Sequence, residues 1–424
     1  MSRLFLAALS IIIILSPAAL AQSFAIIGGK IITNGDGKII EDGTVIISDG
    51  KIVSVGPRNE IQIPDNATQI DATDKWVTPG IFVPFSRVGL VEISLEKSTN
   101  DTRAKESPFS AALQVADGYN PKSENVGITR IEGVTRMAII PAASRTIFAG
   151  SGALANTSGT FSSVTDTPAF IYVQMGESGA AIAGGSRPAA WTWLRQALKE
   201  AKAWRRGREP AEPLLDEADA LALQAAMVDK LPFLVSVERA SDLITLIKLK
   251  QEFRNLNIVA VGATEGWMVK NELAAAAIPV ILDPHNNLPQ SFQSLGATMY
   301  NAARLHKAGV KIAIATLSDE AFNARLAPQH AGNTLATGLD WDTAFAAISS
   351  VPAQIFGQEK SLGQLKPGMI GDVVIWDGDP LELTTSPDMV FIDGQNQDMT
   401  SRQTRLRDRY LTVGSENPMP YGYR

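Results

Sequence analysis

The chain has 424 residues, 45% hydrophobic and 19% charged, with a formal net charge of −6. That is globular composition, long enough for one large domain or two medium ones, and it leaves no basic footprint for nucleic acid. There is no cysteine and there are three histidines, His285, His306 and His330, so disulfides and thiolate ligands are excluded and any metal must be held by nitrogen and oxygen.

The first residues read as a secretory signal. Arg3 supplies the positive start, Leu4 to Leu15 form the apolar core, and Ala19-Leu20-Ala21 gives the small-residue cleavage pattern before Gln22. Residues 1–21 are therefore expected to be removed and the protein to be periplasmic or secreted, with no membrane span after cleavage. The apolar run is shorter than the roughly 20 residues a bilayer-spanning helix needs.

From Phe24 to Val55, short β-branched runs alternate with turns at Gly28-Gly29, Asn34 to Gly37, Asp42-Gly43 and Asp49-Gly50, the pattern of antiparallel hairpins. Pro79-Gly80 then marks a turn into the apolar stretch Ile81-Phe82-Val83. Beyond it, strands are predicted at Arg136 to Pro141, Ala169 to Gln174, Phe233 to Val237, Ile258 to Val261, Pro279 to Leu282 and Lys311 to Ala315. Helices are predicted at Ala189 to Arg206, Glu212 to Asp229, Ala240 to Phe253 and Ser291 to Ala308. This alternation predicts a parallel α/β domain whose length suits a (β/α)8 barrel, with an open doubly wound sheet as the runner-up. The Ser- and Gly-rich stretch Ser151 to Thr167 reads as an irregular loop, and Ala149 to Ala153 as a crossover loop. The basic cluster Lys202, Arg205, Arg206 and Arg208 reads as a solvated helix face.

The chain returns to strand chemistry near Gly363, so both ends are expected to build one small β-sandwich. The resulting division is 22–75 with 355–400 for the sandwich, 76–354 for the barrel and 401–424 for a C-terminal tail.

Two runs carry a resemblance. Ile70 to Ile81, IDATDKWVTPGI, is similar to the approach to the first barrel strand in the amidohydrolase superfamily, of the imidazolonepropionase-like and dihydroorotase-like kind. Gly363 to Glu382, GQLKPGMIGDVVIWDGDPLE, resembles its C-terminal signature, and the tail Asn396 to Tyr410 is similar to the ending of one exported subgroup. The resemblance implies a metal-dependent hydrolase of non-peptide carbon–nitrogen bonds, acting on amides, lactams or cyclic imides. It also implies a zinc-type centre held by His-x-His after the first strand, further His after the fifth and sixth, and Asp after the eighth, where the cation acidifies a water.

Those ligands are missing from this sequence. The first pair falls on Phe85 and Arg87, the fifth and sixth strands lead into Glu238 and Glu265, and no Lys follows Gln174. The eighth strand offers Leu317 or, with a small insertion, Asp319. No cofactor is therefore assigned. The polar groups expected at the barrel mouth are Arg87, Glu238, Glu265, His285, Asp319, Arg325 and His330. Asp319, His330 and Glu238 are the catalytic candidates, and Arg87, Glu265, Arg325 and His285 the binding candidates. An ion-pair network around Arg87, a small-molecule pocket and metal-free catalysis are the readings these groups leave open. His306 reads as a surface residue near a helix C-terminus. The expectation is a degenerate amidohydrolase acting as pseudoenzyme, as ligand binder or as partner of an active relative or of itself. The alternative is an active hydrolase with an atypical site.

Overall fold

The structure, a computed structural model, describes residues 23–35, 39–205, 211–318 and 321–411. The expected signal segment lies outside them, as do Arg206, Arg208 and Asp319. Among the described residues no helix is long and apolar enough to cross a membrane.

The first five strands are β1 (Ser23–Ile32), β2 (Ile39–Ser48), β3 (Lys51–Pro57), β4 (Thr68–Asp71) and β5 (Trp76–Pro79). The barrel strands follow: β6 (Ile81–Ser86), β7 (Val134–Ile139), β8 (Phe148–Asn156), β9 (Val164–Gln174), β10 (Pro232–Val237), β11 (Asn257–Gly262), β12 (Val280–Leu282) and β13 (Ile312–Ile314). The chain closes with β14 (Val373–Trp376), β15 (Pro387–Ile392) and β16 (Gln395–Asn396).

Strands from both ends share one sheet in the order β16-β15-β14-β5-β1-β2-β3, with β4 pairing β1 beside β5. It folds about its own core, in which Phe24, Ile26, Val45 and Ile47 meet Val373, Ile375 and Phe391. The Gly28-Gly29 break does not end a strand. β1 runs through it with register shifts, pairing β4 along Phe24–Ile27 and β5 at Lys30 and Ile31.

The second sheet runs β6 to β13 in sequence order. Alternation points Phe82, Phe170, Leu234, Val259, Ile281 and Ala313 into one interior cluster, while their neighbours face the helices. The sheet closes through an intervening segment: Phe82 N donates to Ile348 O at 2.8 Å and Ile314 N to Ala347 O at 2.9 Å. The barrel with a sandwich built from both termini is thus observed, and the doubly wound alternative is not.

Two local expectations change. Ser151 to Thr167 is not a loop, and Ala149 to Ala153 is not a crossover, because β8 and β9 form an antiparallel hairpin inside the barrel sheet. β8 is wholly buried despite its poor strand formers. A Cβ at Gly152 would overlap the Phe170 ring, so small residues are what this close pairing requires. Ser291 to Ala308 is not one helix either: a short turn at Phe292–Ser294 precedes a helix at Asn301–Lys307.

The barrel is fastened to the sandwich at its N-terminal end. The buried Arg136 of β7 makes paired bonds to Asp372, at 2.6 Å from Nε and 2.9 Å from one terminal nitrogen, and a further bond to Asp393. Asn156 and the Asp393 N–H complete the network, each at 2.9 Å. Burial works against the Arg136 charge, but the two carboxylates outweigh it and raise its pKa.

Candidate functional site

The inward phase of each strand decides what stands at the opposite, C-terminal mouth. Continuing β10 from Leu234 by twos brings Ser236 and then Glu238 inward, and continuing β12 from Ile281 brings Asp283. β9 ends on Tyr172 and Gln174, whose side chains bond at 3.3 Å, and Gln174 reaches Ser236 at 3.2 Å. On β13 the inward residue past Ala315 is Leu317, packed against the interior cluster.

At the end of β6 the interior holds Phe85, and Arg87 is buried at 6% exposure, its guanidinium 6.0 Å from the Phe85 ring. A ring without donor atoms and a permanent buried cation do not fit a metal cradle.

Glu238 is held by the turn after β11. Thr264 donates to it from its hydroxyl at 2.5 Å and from its backbone N–H at 3.1 Å. Gly262, at φ +92°, makes room for the carboxylate, which a Cβ there would strike. Burial pushes the Glu238 pKa up, the Thr264 bonds pull it down, and nearby Asp283 adds to the rise. Glu265 is a clasp rather than a mouth group. Its two oxygens accept the N–H groups of Ala240, at the start of the helix Ala240–Glu252, and of Gly296, both at 3.0 Å. Arg325 acts electrostatically on Glu132, which precedes β7. His306 is exposed in the last turn of its helix, 3.4 Å from the Thr343 hydroxyl.

The remaining histidines meet. His330 is not on a loop but on the helix Ala327–Asn333, which brings it over the end of β12. Its ring lies 3.9 Å from that of His285, centroid to centroid, at 31°, and its Nδ1 is 3.4 Å from Asp283 Oδ1. Asp283 also accepts the His285 N–H at 2.9 Å, and the Asn333 amide lies 2.6 Å from His285 Nε2. Burial alone would raise the Asp283 pKa, but the His330 ring and the His285 N–H hold it below the usual carboxylate range. Burial, then the His330 ring, lower the His285 pKa against the pull of Asp283. Among the described residues, Asp283, His285 and His330 are the one group of His, Asp or Glu gathered closely enough to hold a metal ion. The expectation that metal ligands are missing is therefore not confirmed: Asp283 and His285, just beyond β12, and His330, on the helix Ala327–Asn333, form a group that could hold a metal ion. The signal available in the sequence was Asp283-Pro284-His285 at the inward phase of a strand end. Beside this group lies a cavity of 130 Å³ lined by Glu238, Thr264, Asn286, Ser291 and Gln293 among others.

Comparison with known proteins agrees with the architecture. Residues 296–396 match the model of the amidohydrolase family. The amidohydrolase tasK of Hapsidospora irregularis is 21% identical over 390 residues, covering 84% of this chain and 40% of that protein, so the chain spans about two fifths of its length. An amidohydrolase from Thermotoga maritima superposes with a TM-score of 0.78 at 24% identity, over 88% of this chain and 99% of the other. An adenosine deaminase from Xanthomonas campestris, solved with bound zinc, gives 0.56 at 16% identity, over 92% and 99%.

Proposed function

We propose that the chain, similar to amidohydrolases in sequence and fold, is a non-hydrolytic member of that superfamily, an exported protein that keeps the barrel mouth for binding and has lost the family's hydrolytic centre. The observation that carries this reading is the buried pair Phe85 and Arg87 at the end of β6. The family's first two ligands would have to stand there, and a guanidinium in their place repels a cation. Glu238 and Glu265, at the ends leading from β10 and β11, are engaged by Thr264, Ala240 and Gly296. What remains is a small polar cavity suited to a small hydrogen-bonding ligand, and a scaffold that can pair with an active relative or a second copy. Export rests on Arg3 and the Leu4 to Leu15 run.

The test is hydrolysis of a panel of amides, lactams and cyclic imides by the purified chain with zinc supplied. No turnover above a buffer control is expected, and metal-dependent turnover abolished by chelation would refute the reading. Fractionation should place the chain in the periplasm or medium with its N-terminus near Gln22.

A specific observation supports a second reading, a hydrolase with a displaced centre: the half-buried Glu238, with its raised pKa, interacts with Asp283, where a carboxylic acid beside a metal site could serve as proton donor.

A further inference from the structure

We propose that Asp283, His285 and His330 bind one divalent transition-metal ion of the zinc class, held by the end of the seventh barrel strand and the helix that follows the eighth.

The donor set is two imidazoles and one carboxylate, which suits zinc and its neighbours rather than calcium or magnesium. Three protein ligands with one side open is the arrangement of an exchangeable or reactive site, and His285 is exposed while His330 is buried at 5% exposure. The candidate ligand atoms all lie within 4.8 Å of one another.

The decisive detail is the pairing of His330 with Asp283. Tetrahedral coordination at roughly 2.1 Å places neighbouring ligand atoms about 3.4 Å apart. Nδ1 of His330 stands 3.4 Å from Oδ1 of Asp283, the length of a tetrahedron edge. That Nδ1 is buried and faces Asp283 at the long end of hydrogen-bonding range, whereas buried ring nitrogens are ordinarily well satisfied.

The surroundings agree. Asn333, one turn from His330 on the same helix, lies with its amide group 2.6 Å from His285 Nε2; presenting its oxygen there, the amide would accept the Nε2–H and leave Nδ1 to ligate. Asn286, next in the chain to His285, lines the polar cavity.

The full chain, freed of metal by chelation and dialysis, is titrated with zinc chloride by calorimetry and with cobalt(II) by visible absorption. One ion per chain is expected, with a cobalt spectrum of low coordination number. His285→Ala and Asp283→Asn should each weaken binding at least tenfold, with circular dichroism reporting whether each variant is folded. The exposed His285 makes the first variant the safer one, and His285→Asn is the second should it misfold. Failure of the wild type to bind one ion, or equal affinity in folded His285 and Asp283 variants, overturns the site. The same samples are assayed for hydrolysis. Binding without turnover supports the site and leaves the non-hydrolytic reading standing. Turnover lost in His285→Ala supports the site and overturns that reading.

Discussion

The two ends of the barrel hold buried charge in opposite ways. At the N-terminal end Arg136 is matched atom for atom by Asp372 and Asp393, and the carboxylates are in turn satisfied by Asn156 and a backbone N–H. At the C-terminal end the buried His330 Nδ1 has only Asp283, at 3.4 Å, as a loosely placed partner. A satisfied network holds a structure in place, while an unsatisfied one stores affinity for something else. Barrels of this architecture divide the labour the same way, with stability below and sites above.

The largest expected effect lies at the satisfied end. Arg136→Ala leaves the buried Asp372 without its cation and frees the exposed Asp393, and should cost about 3–5 kcal/mol in denaturant unfolding. A cost below 1 kcal/mol would mean that the network is not what fastens barrel to sandwich.

Tyr119 gives a pH-dependent effect near the mouth. Its ring packs against Gly89, two residues beyond Arg87, and burial pushes its phenol up to about 12. A raised folded pKa favours the neutral form, so the contribution is complete below the unfolded value near 10 and is lost as pH rises from about 10 to 12. Unfolding free energy should fall by about 1–2 kcal/mol across that window, and Tyr119→Phe should flatten the fall.

Glu238→Gln keeps an acceptor for Thr264 and removes a buried charge. Stability at neutral pH should change by less than about 1 kcal/mol. A large loss would show that the ionised carboxylate is needed by the fold and would blur the contrast between the two ends. The smallest effect is expected for His285→Ala in the absence of metal, within about 0.5 kcal/mol, because the ring is exposed. The same change should abolish any metal-induced rise in melting temperature.

These expectations rest unevenly on the sequence. The sandwich could be read from the β-branched runs and glycine turns at both ends, and most barrel strands from apolar runs such as Phe233 to Val237. β8 could not, since Ala149-Gly150-Ser151-Gly152 is a strand only because Phe170 needs the space above Gly152. Phe85 and Arg87 could be placed from the order of residues alone. The meeting of His285 with His330 could not, because it depends on the helix Ala327–Asn333 folding back over the end of β12. Glu265, read as a mouth residue, is turned aside by two backbone N–H groups that no pattern in the sequence announces.

The most direct test is diffraction from crystals grown with zinc, with anomalous data collected on both sides of the zinc absorption edge. One peak is expected between Asp283, His285 and His330, and none beside Phe85 and Arg87. A peak at the end of β6, or none at the histidine pair at saturating zinc, would contradict the account.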